Sequence, residues 1–359
     1  MKMSETKEAE GSRGSRGRYC FLDILRVAAT CAVVLMHTLT GAVDAVDISL
    51  YPAERLVYLV VMDLITWCVP VFVLISGYLF LNPDKPITFL QMLKKYCRRI
   101  LLALFLFGIP YAMLELLLVE KTFRFSMLGQ SIWLVLQGKS WSHMWYLYLI
   151  LLLYLLTPAI KWLLSGIPVT LLYGILAVWL VGSSILPFFN KLLQMELPVL
   201  PDGGIYFFYY LCGYLFACRD AREKQSRHSG SYPVTTVLIL ILCLGMVLSR
   251  VSRGFSLQMA YNYPFTVMLA LLLFETARRS KIEPGEKIGT FWQTAGSLCF
   301  TIYLVHPVFV NLLYKFFQIS LLDYPIGISL PVFFVGVLFL ATLSAWILRK
   351  IPVLKKYVL

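Results

Sequence analysis

The sequence predicts an all-α polytopic membrane protein of about ten transmembrane helices, with both termini on the cytoplasmic side. Three observations carry this. First, 59% of the 359 residues are hydrophobic and only 14% are charged, and the mean hydropathy is +0.77. A water-soluble domain of that composition would lack the polar residues to cover its surface. Second, apolar stretches close to the roughly 20 residues needed to cross a bilayer recur at 19–41, 56–81, 98–119, 144–164, 168–189, 204–218, 233–250, 260–276, 295–316 and 328–349. Third, with the N-terminus inside, the inner segments hold roughly three times as many Lys and Arg as the outer ones, the bias of cytoplasmic loops. That bias also accounts for the net charge of +13, and no nucleic-acid partner is expected.

In chain order, residues 1–18 are polar and contain Gly-Ser-Arg-Gly-Ser-Arg-Gly. They are expected to form a disordered basic cytoplasmic tail. The apolar stretch that follows is too long for the core of a cleaved signal and lacks a clear small-residue cleavage site. It reads as a retained signal anchor. Residues 19–349 then make up one ten-helix domain and 350–359 a short cytoplasmic tail. Basic clusters at Lys94–Arg99, Arg219–Arg227 and Arg278–Lys287 fall inside, whereas Arg55, Arg250 and Arg253 fall outside. The second and third of these inner clusters read as ordinary positive-inside anchors. The eight cysteines form no Cys-x-x-Cys pair, so they read as small buried hydrophobes. Neither a metal site nor a disulfide framework is expected.

The first span holds the chemistry. Asp23, Arg26 and His37 interrupt an otherwise apolar or small-residue stretch, and ionisable groups at membrane depth are costly enough to mark function by default. Arg26 and His37 are eleven positions apart, about three turns plus 20°, so they share one face roughly 16 Å apart along the axis. Asp23, three residues before Arg26, is placed to pair with it. Asp63 falls at a depth similar to His37 and is a candidate to orient its imidazole; the plainer use is a structural hydrogen bond. His306 sits within the ninth span, just before Pro307, which frees a backbone carbonyl inside the membrane. Trp141, His143 and Trp145 suit either sugar stacking or the interfacial aromatic belt. Two similar phrases, Ser-Gly-Tyr-Leu-Phe at 76–80 and Cys-Gly-Tyr-Leu-Phe at 212–216, suggest either an internal repeat or two glycines used for close helix packing.

Four phrases together carry a family resemblance. They are Phe21-Leu-Asp-Ile-Leu-Arg26 with His37; Val69-Pro-Val-Phe-Val-Leu-Ile-Ser-Gly-Tyr-Leu79; His143-Met-Trp-Tyr-Leu-Tyr148 with Tyr154 to Pro158; and Ser297-Leu-Cys-Phe-Thr-Ile-Tyr-Leu-Val-His-Pro307. In this order they resemble the acyltransferase 3 family of bacterial integral membrane acyltransferases, over about residues 19–349. The chain is most similar to the branch without an additional extracytoplasmic domain. The resemblance implies a cytoplasmic-membrane enzyme that moves an acyl group, usually acetyl, from cytoplasmic acyl-coenzyme A to a hydroxyl of a cell-envelope glycan. Acetyl-coenzyme A is then the donor, and the glycan and the lipid bilayer are the partners. Many members carry Arg-x-x-Arg at the start of the third helix; here Lys95-x-x-Arg98 replaces it, and Lys lacks the bidentate geometry of Arg.

Within that expectation His37 is either the general base for the attacking hydroxyl or the group that carries the acyl. Arg26 serves the donor electrostatically, at its polar arm or its carbonyl, or simply answers Asp23. Lys95, Arg98 and Arg99 suit the phosphates of coenzyme A, the alternative being a positive-inside anchor. The catalytic candidates are therefore His37, Arg26, Asp63 and His306, and the donor-binding candidates are Lys95, Arg98, Arg99 and Arg26. A transporter or flippase for a lipid-linked glycan or small solute is the competing reading, since intramembrane charges and a possible repeat fit it too.

Overall fold

The computed structural model describes residues 2–44, 47–201, 203–223, 232–253, 260–280 and 285–359. Lys224, Arg227 and Lys281 of the expected inner loops lie outside them. Every regular element among the described residues is helical. Eight of the helices are long and apolar enough to cross a membrane. The expected sixth and eighth spans are helices too, α8 (Gly204–Glu223) and α10 (Pro264–Arg279). α10, at 16 residues, is shorter than any of the eight.

The chain divides into two compact units, 1–82 with 169–343, and 83–168 with 344–359. In the first unit α1 spans Lys2–Val43. The expected span at 56–81 is one crossing built of α2 (Pro52–Ile65) and α3 (Cys68–Phe80), with a break at Thr66–Trp67. The break has a local cause. Pro70 cannot donate to the Thr66 carbonyl, and Thr66 and Trp67 turn their side chains back onto the carbonyls of Met62 and Leu64.

Further along this unit come α7 (Val169–Leu193), with a π-helical turn at Val181–Ile185, then α8, α9 (Tyr232–Arg253), α10, α11 (Glu286–Phe316) and α12 (Ile326–Leu348), whose last turns belong to the second unit. α1 packs on α11 and α3, α3 on α8, and α9 on α10 and α2. α1 and α11, the helices that carry His37 and His306, are inner ones. About half of the apolar window is buried in α1 (56%) and α11 (50%), against 11% in α9. The exposed residues of α9 include Val234, Val237, Leu240, Ile241, Leu244 and Leu248, an apolar face suited to lipid.

The two Gly-Tyr-Leu-Phe phrases meet. A Cβ on Gly77 would lie 2.0 Å from the Tyr210 carbonyl oxygen, and one on Gly213 would lie 2.4 Å from the Leu74 carbonyl oxygen. Both glycines therefore allow α3 and α8 to touch backbone to backbone. Close packing, the second of the two sequence readings, accounts for them.

The second unit holds α4 (Phe89–Glu120), α5 (Ser126–Leu136), α6 (Trp145–Ser165) and the short α13 (Pro352–Tyr357). α4 is interrupted by a π-helical segment at Met92–Cys97. Trp141, a candidate sugar platform from the sequence, is instead stacked on Tyr111 at 4.2 Å with the rings 7° apart, and His143 lies buried beside both.

Candidate active site

α1 delivers its two functional positions as the spacing requires, because it is helical through both. The expected pair is present: Arg26 Nη1 donates to Asp23 Oδ1 at 2.7 Å, both side chains being partly buried. Asp23 packs where only glycine fits, since a Cβ on Gly296 of α11 would lie 2.8 Å from its carboxylate. Three turns on, half-buried His37 faces His306 of α11, with ring centroids 5.1 Å apart and planes tilted by 44°. The sequence proposed both histidines as candidates; the fold brings them side by side.

Pro307 explains how His306 is held. It removes the donor that the Tyr303 carbonyl would receive in an unbroken helix. The His306 ring lies close to that carbonyl and 3.1 Å from the carbonyl of Ile302. A carbonyl only accepts, so Nδ1 carries the hydrogen and, in the neutral ring, Nε2 is the acceptor. His306 is 0% exposed, so the only side of this pair open to a ligand is that of His37.

Asp63 is bound by an arginine. Its two oxygens receive Arg250, Nε to Oδ2 at 2.5 Å and Nη2 to Oδ1 at 2.8 Å. The fork of a guanidinium matches a carboxylate, and this pairing commits Asp63 to joining α2 and α9. Arg250 was expected in an outer loop; it is 1% exposed within α9. The signal for it was present, since an acid within the second span called for a cation at similar depth.

A second buried network was also missed. At the ends of α8 and α10, Arg278 donates to Glu275 through Nε at 2.7 Å and Nη2 at 3.0 Å, and to Asp220 through Nη1. Tyr78 of α3 donates to Asp220 as well, and Arg279 to Glu275 at 2.5 Å. Arg278, read as a loop anchor, is 7% exposed. The residues Glu275-x-x-Arg278-Arg279 place acid and base on one helix face, which was the available signal.

The donor-binding candidates Lys95, Arg98 and Arg99 lie in the second unit, at the π-helical turn of α4 and just after it. All three are exposed. Arg99 Nε donates to the Val358 carbonyl at 3.0 Å, and the Arg98 guanidinium lies 5.5 Å from the centre of the Tyr357 ring. The C-terminal residues thus gather beside this cluster, and they bring Lys355 and Lys356 with them.

α1 thus carries both the Asp23–Arg26 pair and His37, which faces His306 of α11. Residues 20–350 match the acyltransferase 3 family model, an acyltransferase domain. The chain belongs to that family and is a multi-pass membrane acyltransferase. No curated protein and no solved structure matches it.

Proposed function

We propose that the protein is an O-acyltransferase of the cytoplasmic membrane. In this reading it carries acetyl from cytoplasmic acetyl-coenzyme A to a hydroxyl of a cell-envelope glycan, with ten spans and both termini inside. The observation that carries the reading is His37 beside His306, on the helix that also holds the Asp23–Arg26 pair, in a member of this family. Family membership also weighs against the transporter reading.

His37 acts as the general base. The acceptor hydroxyl loses its proton to the His37 imidazole as its oxygen attacks the thioester carbonyl carbon. The new C–O bond forms, the C–S bond breaks, and the departing sulfur takes the proton back from the imidazolium. A sugar hydroxyl needs such help at neutral pH, and a histidine suits it. His306, with Nδ1 tied to a carbonyl, holds His37 in place. Arg26 lies roughly 16 Å from His37 along α1, too far for both to touch one reacting atom. It therefore meets a different part of the donor, its polar arm rather than its carbonyl.

The test uses inside-out membrane vesicles supplied with radiolabelled acetyl-coenzyme A at the exposed cytoplasmic face. Label should enter lipid-linked or polymeric glycan with wild type and not with His37→Ala at matched expression. Undiminished transfer by His37→Ala would sink the mechanism.

A further inference from the structure

The first unit contains a cavity of about 570 Å³ between the end of α7, the start of α8 and the segment leading into α10, within the usual size of a small-ligand site. Its walls hold three tyrosines, Tyr206, Tyr261 and Tyr263, with Asn262 and Lys191. Among the described lining residues Lys191 is the one charged group, and no carboxylate is present.

The walls are built rather than incidental. Asn190 closes one side by bonding both backbone groups of Leu197, at 2.8 and 3.0 Å. Leu200 N–H reaches the Gly182 carbonyl at 3.0 Å, in the π-helical turn of α7, which folds the 195–200 segment over that helix. Tyr209 donates to the Tyr261 carbonyl at 2.7 Å and fixes the far side. One polar group is left over: Tyr263 is 2% exposed, and its hydroxyl makes no hydrogen bond among the described residues. Its ring packs with Phe188 and Met246 in an apolar cluster.

One wall of the cavity reaches α1: Tyr261 Oη lies 3.6 Å from the sulfur of Met36, the residue before His37, and the Tyr206 and Tyr261 rings are 6.3 Å apart. We infer that this cavity is the acceptor subsite, and that it takes a sugar unit bearing an anionic oxygen group. Tyrosine faces suit the apolar face of a pyranose. The Asn262 amide offers both donor and acceptor to ring hydroxyls, and Lys191 selects for negative charge. A uronic-acid carboxylate and a sugar phosphate both supply that charge. The inference rests on the acyl-transfer reading for its name, but it makes a prediction about binding alone.

The experiment is equilibrium titration of the full-length protein in lipid nanodiscs without any acyl donor. The probes are trigalacturonic acid, glucose 1-phosphate and, as the neutral control, maltotriose. One of the two anionic probes should bind at least tenfold tighter than maltotriose, and which one it is separates carboxylate from phosphate. Lys191→Met should remove that preference. Asn262→Ala should weaken the favoured probe at least fivefold. Lys191 is exposed, so its variant reports on charge rather than on folding. Equal binding of all three probes, no saturable binding, or a preference that survives Lys191→Met would each overturn the inference. Normal binding with no labelled acyl transfer would instead remove the acyl-transfer reading and leave the cavity as a sugar site.

Discussion

Arg250 and Asp63 form a two-pronged ion pair across 187 residues of sequence, with both side chains 1% exposed. Breaking a buried pair by removing one partner leaves the other charge uncompensated, at about 3–5 kcal/mol. Asp63→Asn and Arg250→Met should therefore each lower the thermal unfolding midpoint of the detergent-solubilised protein by several degrees. The double variant Asp63→Leu with Arg250→Met should recover much of the loss, because an apolar replacement carries no stranded charge. A double variant less stable than either single would refute the pairing.

The histidine pair predicts unequal effects. His37→Gln should lower kcat by roughly 10²- to 10⁴-fold, the usual worth of a general base. His306→Asn keeps a group able to donate to the Ile302 carbonyl, and should cost about tenfold or less while moving the pH–rate profile. Both are read in the labelled-acetyl assay at matched folded protein. If His306→Asn is as inactive as His37→Gln, His306 also acts on the substrate directly.

At the α3–α8 contact, backbone presses on backbone. Gly77→Ala must push the Tyr210 carbonyl away, since the new Cβ would otherwise sit 2.0 Å from it. Overpacking of this kind costs about 1–3 kcal/mol. Gly77→Ala should reduce the yield of monodisperse protein, whereas Gly336→Ala on α12, where a Cβ meets nothing within 4 Å, should not. Equal yields for the two would show that the helices separate easily.

Much of this was legible in the sequence, and the parts that were not share a cause. Apolar run length gives the helices, since a bilayer imposes one length on each crossing. Helical spacing gives the shared face of Arg26 and His37 and the Asp23–Arg26 pair, because all three lie on one continuous helix. What could not be read is which helices adjoin. Asp63 could be read by depth either as a partner of His37 or as a structural hydrogen-bonding group, and depth alone does not name Arg250, which binds it from a helix far along the chain. His306 was a candidate, but its place beside His37 depends on α1 packing against α11. Arg278 looked like a loop anchor because positive-inside statistics describe loops, and they are silent about a helix end that turns inward to meet Glu275 and Asp220. The break at Thr66–Trp67 was available from Pro70, and the continuous hydropathy hid it.

The last prediction concerns that inward-facing helix end. Arg278 serves two acids, Glu275 and Asp220, and Tyr78 shares Asp220 with it, so α3, α8 and α10 are tied at one point. The arrangement needs a planar fork. Two nitrogens of Arg278 meet the two oxygens of Glu275 while a third reaches Asp220. A lysine offers one ammonium on a flexible stem and cannot hold both acids in that geometry. Arg278→Lys should thus destabilise nearly as much as Arg278→Met, by roughly 3 kcal/mol or more for a buried charge network. Tyr78→Phe removes one hydrogen bond and should cost only about 1 kcal/mol. Thermal unfolding of Arg278→Lys, Asp220→Asn and the double variant closes the cycle. The double should fall well short of the sum of the singles, since each single already disrupts the shared contact. Strict additivity, or a lysine that leaves stability untouched, would mean that the three helices are held by their packing and not by this junction.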